Sequence, residues 1–282
     1  MNTKPLIKHG WLRALAIIIP WFFTYGIFSL LAVFSLGGNP FSEKQISLGD
    51  SGMLVMQLFG LLGTVFIIWI FRKFIDNKPF YTLGFLKKDL WKDIILGLFV
   101  GFIMIAIGFY ILQSFGQIDY KINTINYTKI VSGLVLFIIV AINEEILFRG
   151  YLLNNFMDSV PKYWALLITA VLFGVMHLGN ANIDAIGFSN IIIAGLFLGI
   201  SYIYTKSLWF PIALHFSWNF FQGTIFGYAV SGNDTYAIIK QSRTADTIWN
   251  GGAFGFEASV TALIMLVLFT VIIGKYYSKD TV

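Results

Sequence analysis

The sequence predicts an all-α, polytopic membrane protein of about eight transmembrane helices, and three observations carry that reading. Of 282 residues, 57% are hydrophobic and only 12% are charged, where soluble chains carry about 25% charged residues. Mean hydropathy is +0.78. Apolar runs long enough to cross a bilayer, about 20 residues each, recur along the whole chain. The pI near 9.2 does not point to nucleic acid, because in a membrane protein excess Lys and Arg mainly set orientation. There is no cysteine, which excludes disulfides, thiolate zinc sites, Cys nucleophiles and iron–sulfur clusters.

Eight candidate spans run in order: 12–36, 52–71, 93–115, 129–148, 163–179, 187–204, 208–227 and 257–274. The first comes after Lys4, Lys8 and Arg13, and it is longer than a signal-peptide core with no small-residue cleavage site after it, so it reads as a retained span. His9, in the same basic tail, reads as a solvated surface residue. The fifth and sixth spans are short and contain glycine, so their ends are soft. With the N-terminus inside, the inner segments carry 14 Lys and Arg and the outer loops 5, namely Lys44, Lys121, Lys129, Lys240 and Arg243. The positive-inside rule then places both termini in the cytoplasm, as an even number of spans requires. The organisation predicted is 1–128 for spans one to three, 129–227 for a core of spans four to seven, and 228–282 for an outer loop with the last span. That loop, 228–256, ends in NGGAFGFEAS and reads either as a plain surface loop or as a lid.

Ionisable residues inside spans are rare and mark function by default. The fourth span ends in Glu144, Glu145 and Arg149, the fifth holds His177, and the seventh holds His215 and Asn219. Glu145 and Arg149 are i,i+4 and share a helix face, as do His215 and Asn219. Glu144 is turned about 100° away and is left unmatched. Spans four and five form a hairpin whose tip lies at Pro161, which cannot continue a helix. Glu144 is 17 residues before that proline and His177 is 16 after it. The two should therefore face each other about 24 Å from the tip. The tip, with Asn154, Asn155, Asp158 and Lys162, is expected to project into the cytoplasm. The polar layer is then expected in the cytoplasmic half of the membrane.

One carboxylate, two imidazoles and an amide suit hydrolysis. Glu144 could take a proton from water, while His and Asn donate to a developing oxyanion. Glu144, His177 and His215 are also plausible zinc ligands, although no H-E-x-x-H is present. The plainer readings are that Glu145 with Arg149 braces the bundle and that the histidines and Asn219 are interhelical hydrogen-bonders. An unmatched buried carboxylate is harder to explain by packing alone.

These residues resemble the signature of the CAAX-protease-and-bacteriocin-processing (CPBP) family, related to the CAAX prenyl endopeptidase. The motifs are Glu144-Glu145-x-x-x-Arg149, Phe173-x-x-x-His177 and His215-x-x-x-Asn219. They cover about 130–222, and GGAFGFEAS is similar to a segment of many bacterial members. The resemblance implies a glutamate-dependent intramembrane endopeptidase of eight helices, in which Glu144 activates water and His177 holds that water or the Glu. In it His215 and Asn219 stabilise the oxyanion, and Glu145, Arg149 and Phe173 support them. It also implies metalloprotease chemistry, whose metal dependence is disputed among members, so a divalent metal such as zinc is left open, with Glu144, His177 and His215 as its ligands if present. The expected substrate is a peptide or membrane-anchored protein, cleaved near the cytoplasmic face of a bacterial plasma membrane, with no nucleic-acid partner. The rival readings are a non-catalytic bacteriocin-immunity or scaffold protein and a proton-coupled transporter.

Overall fold

A computed structural model describes residues 4–39, 49–85 and 89–279. Lys44, Lys87 and Lys88, which enter the charge balance, lie outside the described residues. All eight predicted segments are helical: α1 (Gly10–Ser35), α2 (Ser51–Ile75), α3 (Leu90–Ser114), α4 (Tyr127–Met157), α5 (Lys162–Met176), α6 (Ala185–Thr205), α7 (Trp209–Phe220 continued by Phe221–Ile225) and α8 (Val260–Ser278). Among the described residues six helices are long and apolar enough to cross a membrane. The other two are α5 and α7. α5 starts after Pro161 and ends at Met176, about 22 Å at 1.5 Å per residue, and so is shorter than a ~30 Å hydrocarbon core.

The helix starts have local causes. Asn126 caps α4 by accepting from the Lys129 N–H, Asp184 caps α6 through the Gly187 N–H, and Ser259 caps α8 through the Ala262 N–H. Each satisfies a donor that the first turn leaves unpaired. The all-α expectation meets one small exception. Strands β1 (Asp119–Ile122) and β2 (Ile239–Ser242) pair antiparallel in register Asp119 with Ser242. They join the α3–α4 connection to the long loop after α7.

α7 carries His215 and Asn219, so its seat in the bundle sets where both side chains lie. It packs against α3 and α4. Its approach to α3 depends on two glycines one turn apart. A Cβ on Gly97 would lie 2.7 Å from the Phe210 carbonyl oxygen, and one on Gly101 2.7 Å from Ser217 Cβ. Small residues at such contacts let helices in lipid close on each other.

The hairpin tip departs from expectation in one respect. The turn falls at Pro161 as expected, between the end of α4 at Met157 and the start of α5 at Lys162, but Asn154 and Asn155 are buried rather than projecting. Asn154 donates to the Thr82 carbonyl and the Tyr202 hydroxyl. Asn155 accepts from Arg13 Nε at 2.8 Å. Around them is a knot of charge: Arg13 to Asp158 at 2.6 Å and to Asp76 at 3.3 Å, Arg72 to Asp76 at 2.9 Å, and Lys78 to Asp158 at 3.0 Å. Arg72 also donates to the Thr82 hydroxyl. The polar side chains are drawn inward because two buried arginines need acceptors.

Candidate active site

Four elements bring the predicted residues together. At Ile146–Leu153 the backbone of α4 widens into a π-helical stretch, a feature frequent at functional sites. It begins right after the two glutamates. Glu145 is fully buried and its Oε1 is shared, accepting from Arg149 Nη1 at 2.6 Å and from His215 Nδ1 at 2.8 Å. Glu145 Oε2 has no partner among the described residues. Arg149 also donates to the Gly195 carbonyl at 3.0 Å and lies 4.8 Å from the Phe173 ring centroid. One guanidinium thus ties α4 to α6 and stacks on α5.

His177 ends α5. Its Nδ1 is 2.7 Å from the Phe173 carbonyl oxygen, one turn back. A carbonyl can only accept, so Nδ1 carries a proton and Nε2 is the nitrogen left facing the cavity. The spacing F-x-x-x-H therefore has a backbone role beyond the ring, although the Phe173 ring also packs on the imidazole at 4.5 Å between centroids. His215 is held the same way, with Nδ1 on Glu145. Both Nε2 atoms point at one carboxylate oxygen: Glu144 Oε2 is 3.9 Å from His177 Nε2 and 3.9 Å from His215 Nε2. The hairpin arithmetic is met, since Glu144 and His177 do face each other.

A distance of 3.9 Å is too long for a direct hydrogen bond and leaves room for a water bonded to both sides. Donor type suits zinc, and both imidazoles have the second nitrogen bound, as zinc ligands do. Spacing does not fit: a tetrahedral zinc with donors at 2.0–2.1 Å sets them about 3.4 Å apart. Among the described residues no group of three His, Cys, Asp or Glu is placed to hold a metal ion.

The centre forms the floor of a cavity of about 490 Å³, also lined by Asn219, Asn143, Phe173 and Trp218. The remaining lining shows which way the cavity opens. Met53, Met56 and Gln57 begin α2, Leu136, Phe137 and Val140 precede Glu144, and Val230, Ser231, Asn233, Thr235 and Glu257 belong to the long loop. The cavity thus runs from Glu144 toward the loop-bearing end of the bundle, away from the cation-rich end. Segment 228–259 acts as its roof.

Glu257 is a site residue that no motif in the sequence marks. Its Oε1 lies 3.3 Å from Trp218 Nε1, and Oε2 accepts from the Ser231 N–H at 2.8 Å and hydroxyl at 3.0 Å. Burial pushes its carboxyl above the usual range, against the opposing pull of the two Ser231 donors. The one signal for it is that no other acid falls in the predicted eighth span. Asn143 and Asn190, each lining the cavity, likewise lie outside every motif.

The fold and site define a polytopic all-α membrane protein with a buried carboxylate–imidazole centre. Residues 126–221, about a third of the chain, match the family model described as type II CAAX prenyl endopeptidase Rce1-like. The resemblance drawn from the three motifs is borne out over that stretch. Two curated proteins of Bacillus subtilis (strain 168) are similar. The "Uncharacterized protein YyaK" is 27% identical over 138 residues, 46% of this chain and 44% of the relative. The "Putative membrane peptidase YdiL" is 25% identical over 237 residues, 76% of this chain and 87% of the relative.

Proposed function

We propose that the protein is an intramembrane endopeptidase that hydrolyses a peptide bond with water activated by Glu144. The observation that carries this reading is the Glu144 carboxylate set 3.9 Å from two imidazole nitrogens on a cavity floor. Water held there donates one hydrogen to Glu144 and the other to Nε2 of a neutral His177. Its lone pair is then free to attack the substrate carbonyl. Glu144 takes the proton as the water oxygen bonds to carbon, and returns it to the leaving amine as the C–N bond breaks. The oxyanion forms beside His215 and Asn219. A protonated His215, with Nδ1 held on Glu145, offers Nε2–H to it, and the Asn219 amide offers a second donor. Glu145 and Arg149 fix the His215 ring and the helix that bears Glu144.

The proposal places the protein in a bacterial plasma membrane with both termini in the cytoplasm, acting on a peptide or membrane-anchored protein. The test is purified full-length protein in lipid nanodiscs, incubated with a synthetic peptide library and read by mass spectrometry. Glu144→Gln should lower cleavage by about 10²–10⁴-fold with yield and melting temperature unchanged. Cleavage by that variant at the wild-type rate defeats the reading and favours a non-catalytic protein that sequesters a peptide in the same cavity.

A further inference from the structure

Beyond the proposed centre, the cavity lining holds several hydrogen-bond acceptors. Asn190 of α6 is 1% exposed. Its amide nitrogen donates to the carbonyls of Glu257 at 2.8 Å and Ser259 at 2.9 Å. That fixes the amide and leaves Oδ1, which has no partner. Asn143, 7% exposed, also lines the cavity with an unpartnered Oδ1. To these Glu257 and, on the floor, Glu144 add two carboxyl groups. Among the described residues no Lys or Arg lines the cavity. Orphaned buried acceptors are uncommon in folded proteins. Carboxylates out of water need a counter-charge. Among the described residues, this leaves the Glu257 carboxyl group and the orphaned Asn190 oxygen with no Lys or Arg lining the chamber. Ammonium and guanidinium groups supply donors and positive charge and carry no acceptor.

Resting on the endopeptidase reading, we infer that Glu257, with Asn190 beside it, is a specificity-determining subsite that takes a positively charged nitrogen group of the substrate. It selects basic peptide segments for the Glu144 centre. The carboxylate is set for this by the loop. Ser231 and Trp218 hold it from behind, so that it is oriented before a ligand arrives. The positive group comes either from a Lys or Arg side chain or from a free amino terminus.

The test reads binding, so its result does not depend on cleavage. Full-length Glu144→Gln protein in nanodiscs is melted, followed by tryptophan fluorescence, with three tetrapeptide amides at about 0.15 M salt, where surface charge is screened. One is acetylated Leu-Lys-Leu-Leu, one acetylated Leu-Gln-Leu-Leu, and one Leu-Gln-Leu-Leu with a free amino terminus. A cationic peptide should raise the melting temperature with half-saturation at least about tenfold lower than the acetylated glutamine peptide. The gap should vanish when Glu257→Gln is added, a change that keeps an acceptor for Ser231 and Trp218 but removes the charge. A gap with the acetylated lysine peptide assigns the subsite to a side chain, and one with the free amino terminus alone assigns it to the chain end. Equal half-saturation for all three peptides overturns the inference, and so does a gap that survives Glu257→Gln. Failure of the endopeptidase reading shows separately, as unchanged library cleavage by Glu144→Gln.

Discussion

At the cation-rich end of the bundle, Asp76 is gripped by Arg13 and Arg72, and Asp158 by Arg13 and Lys78. In the middle, Glu144 meets two histidines only at 3.9 Å and faces a cavity. Both clusters place ionised groups where water is scarce. The first closes on itself, with each charge within direct reach of an opposite one. The second leaves one carboxylate with a gap before it. The difference teaches how to sort buried charge in such a chain: a closed knot answers to stability, while a charge left facing a chamber has a ligand or a reaction to serve.

Substitutions can break or sharpen that contrast. The largest stability effect is expected from Asp76→Ala, which strands Arg13 and Arg72. Removing one partner of a buried pair costs about 3–5 kcal/mol, so the variant should melt far lower or fail to accumulate in membranes. A normal melting temperature would sink the closed-knot reading. Glu145→Gln tests the residue that belongs to both worlds, since it pairs Arg149 and orients His215. Library cleavage should fall by on the order of 10⁴-fold, as for other carboxylates that orient a catalytic histidine, and the melting temperature should fall as well. Loss of only one of the two would assign Glu145 to a single role. Gly101→Ala puts a methyl 2.7 Å from Ser217 Cβ. It should cost about 1–3 kcal/mol by overpacking and slow cleavage by shifting α7, and unchanged kinetics would show that α7 tolerates the shift. The smallest effect is expected at the rim of the knot. Lys78 is 40% exposed at its side chain, so Lys78→Ala should change stability by less than about 1 kcal/mol. A larger loss would move Lys78 into the closed set.

The sequence made one of these clusters legible and hid the other. Glu144, Glu145, Arg149, His177, His215 and Asn219 stood out because ionisable residues inside apolar runs are few. The i,i+4 spacings and the hairpin arithmetic then gave the pairing of Glu145 with Arg149 and the meeting of Glu144 with His177. The sharing of Glu145 between Arg149 and His215 was not legible, since no local spacing states which helix neighbours α7. The knot was hidden because Arg13, Arg72, Asp76 and Asp158 sit at span ends, where charges are ordinarily solvated. Only their long-range packing buries them. Asn154 and Asn155 were misplaced for the same reason, because polar residues beside a turn signal read as a projecting tip. Glu257 was hidden by its position at a span boundary, where one acid attracts little notice, and Asn190 by having no charge at all.

The pairing of β1 with β2 has a mechanical consequence. Beyond the ladder, the Asn123 amide groups donate to the Ile238 and Ala237 carbonyls. The Tyr236 hydroxyl accepts from the Asn126 N–H and donates to the Thr124 carbonyl. The roof is thereby stitched to the first turn of α4, the same helix that carries Glu144 about 25 Å further along. The loop therefore cannot lift from that end of the helix without breaking these four hydrogen bonds.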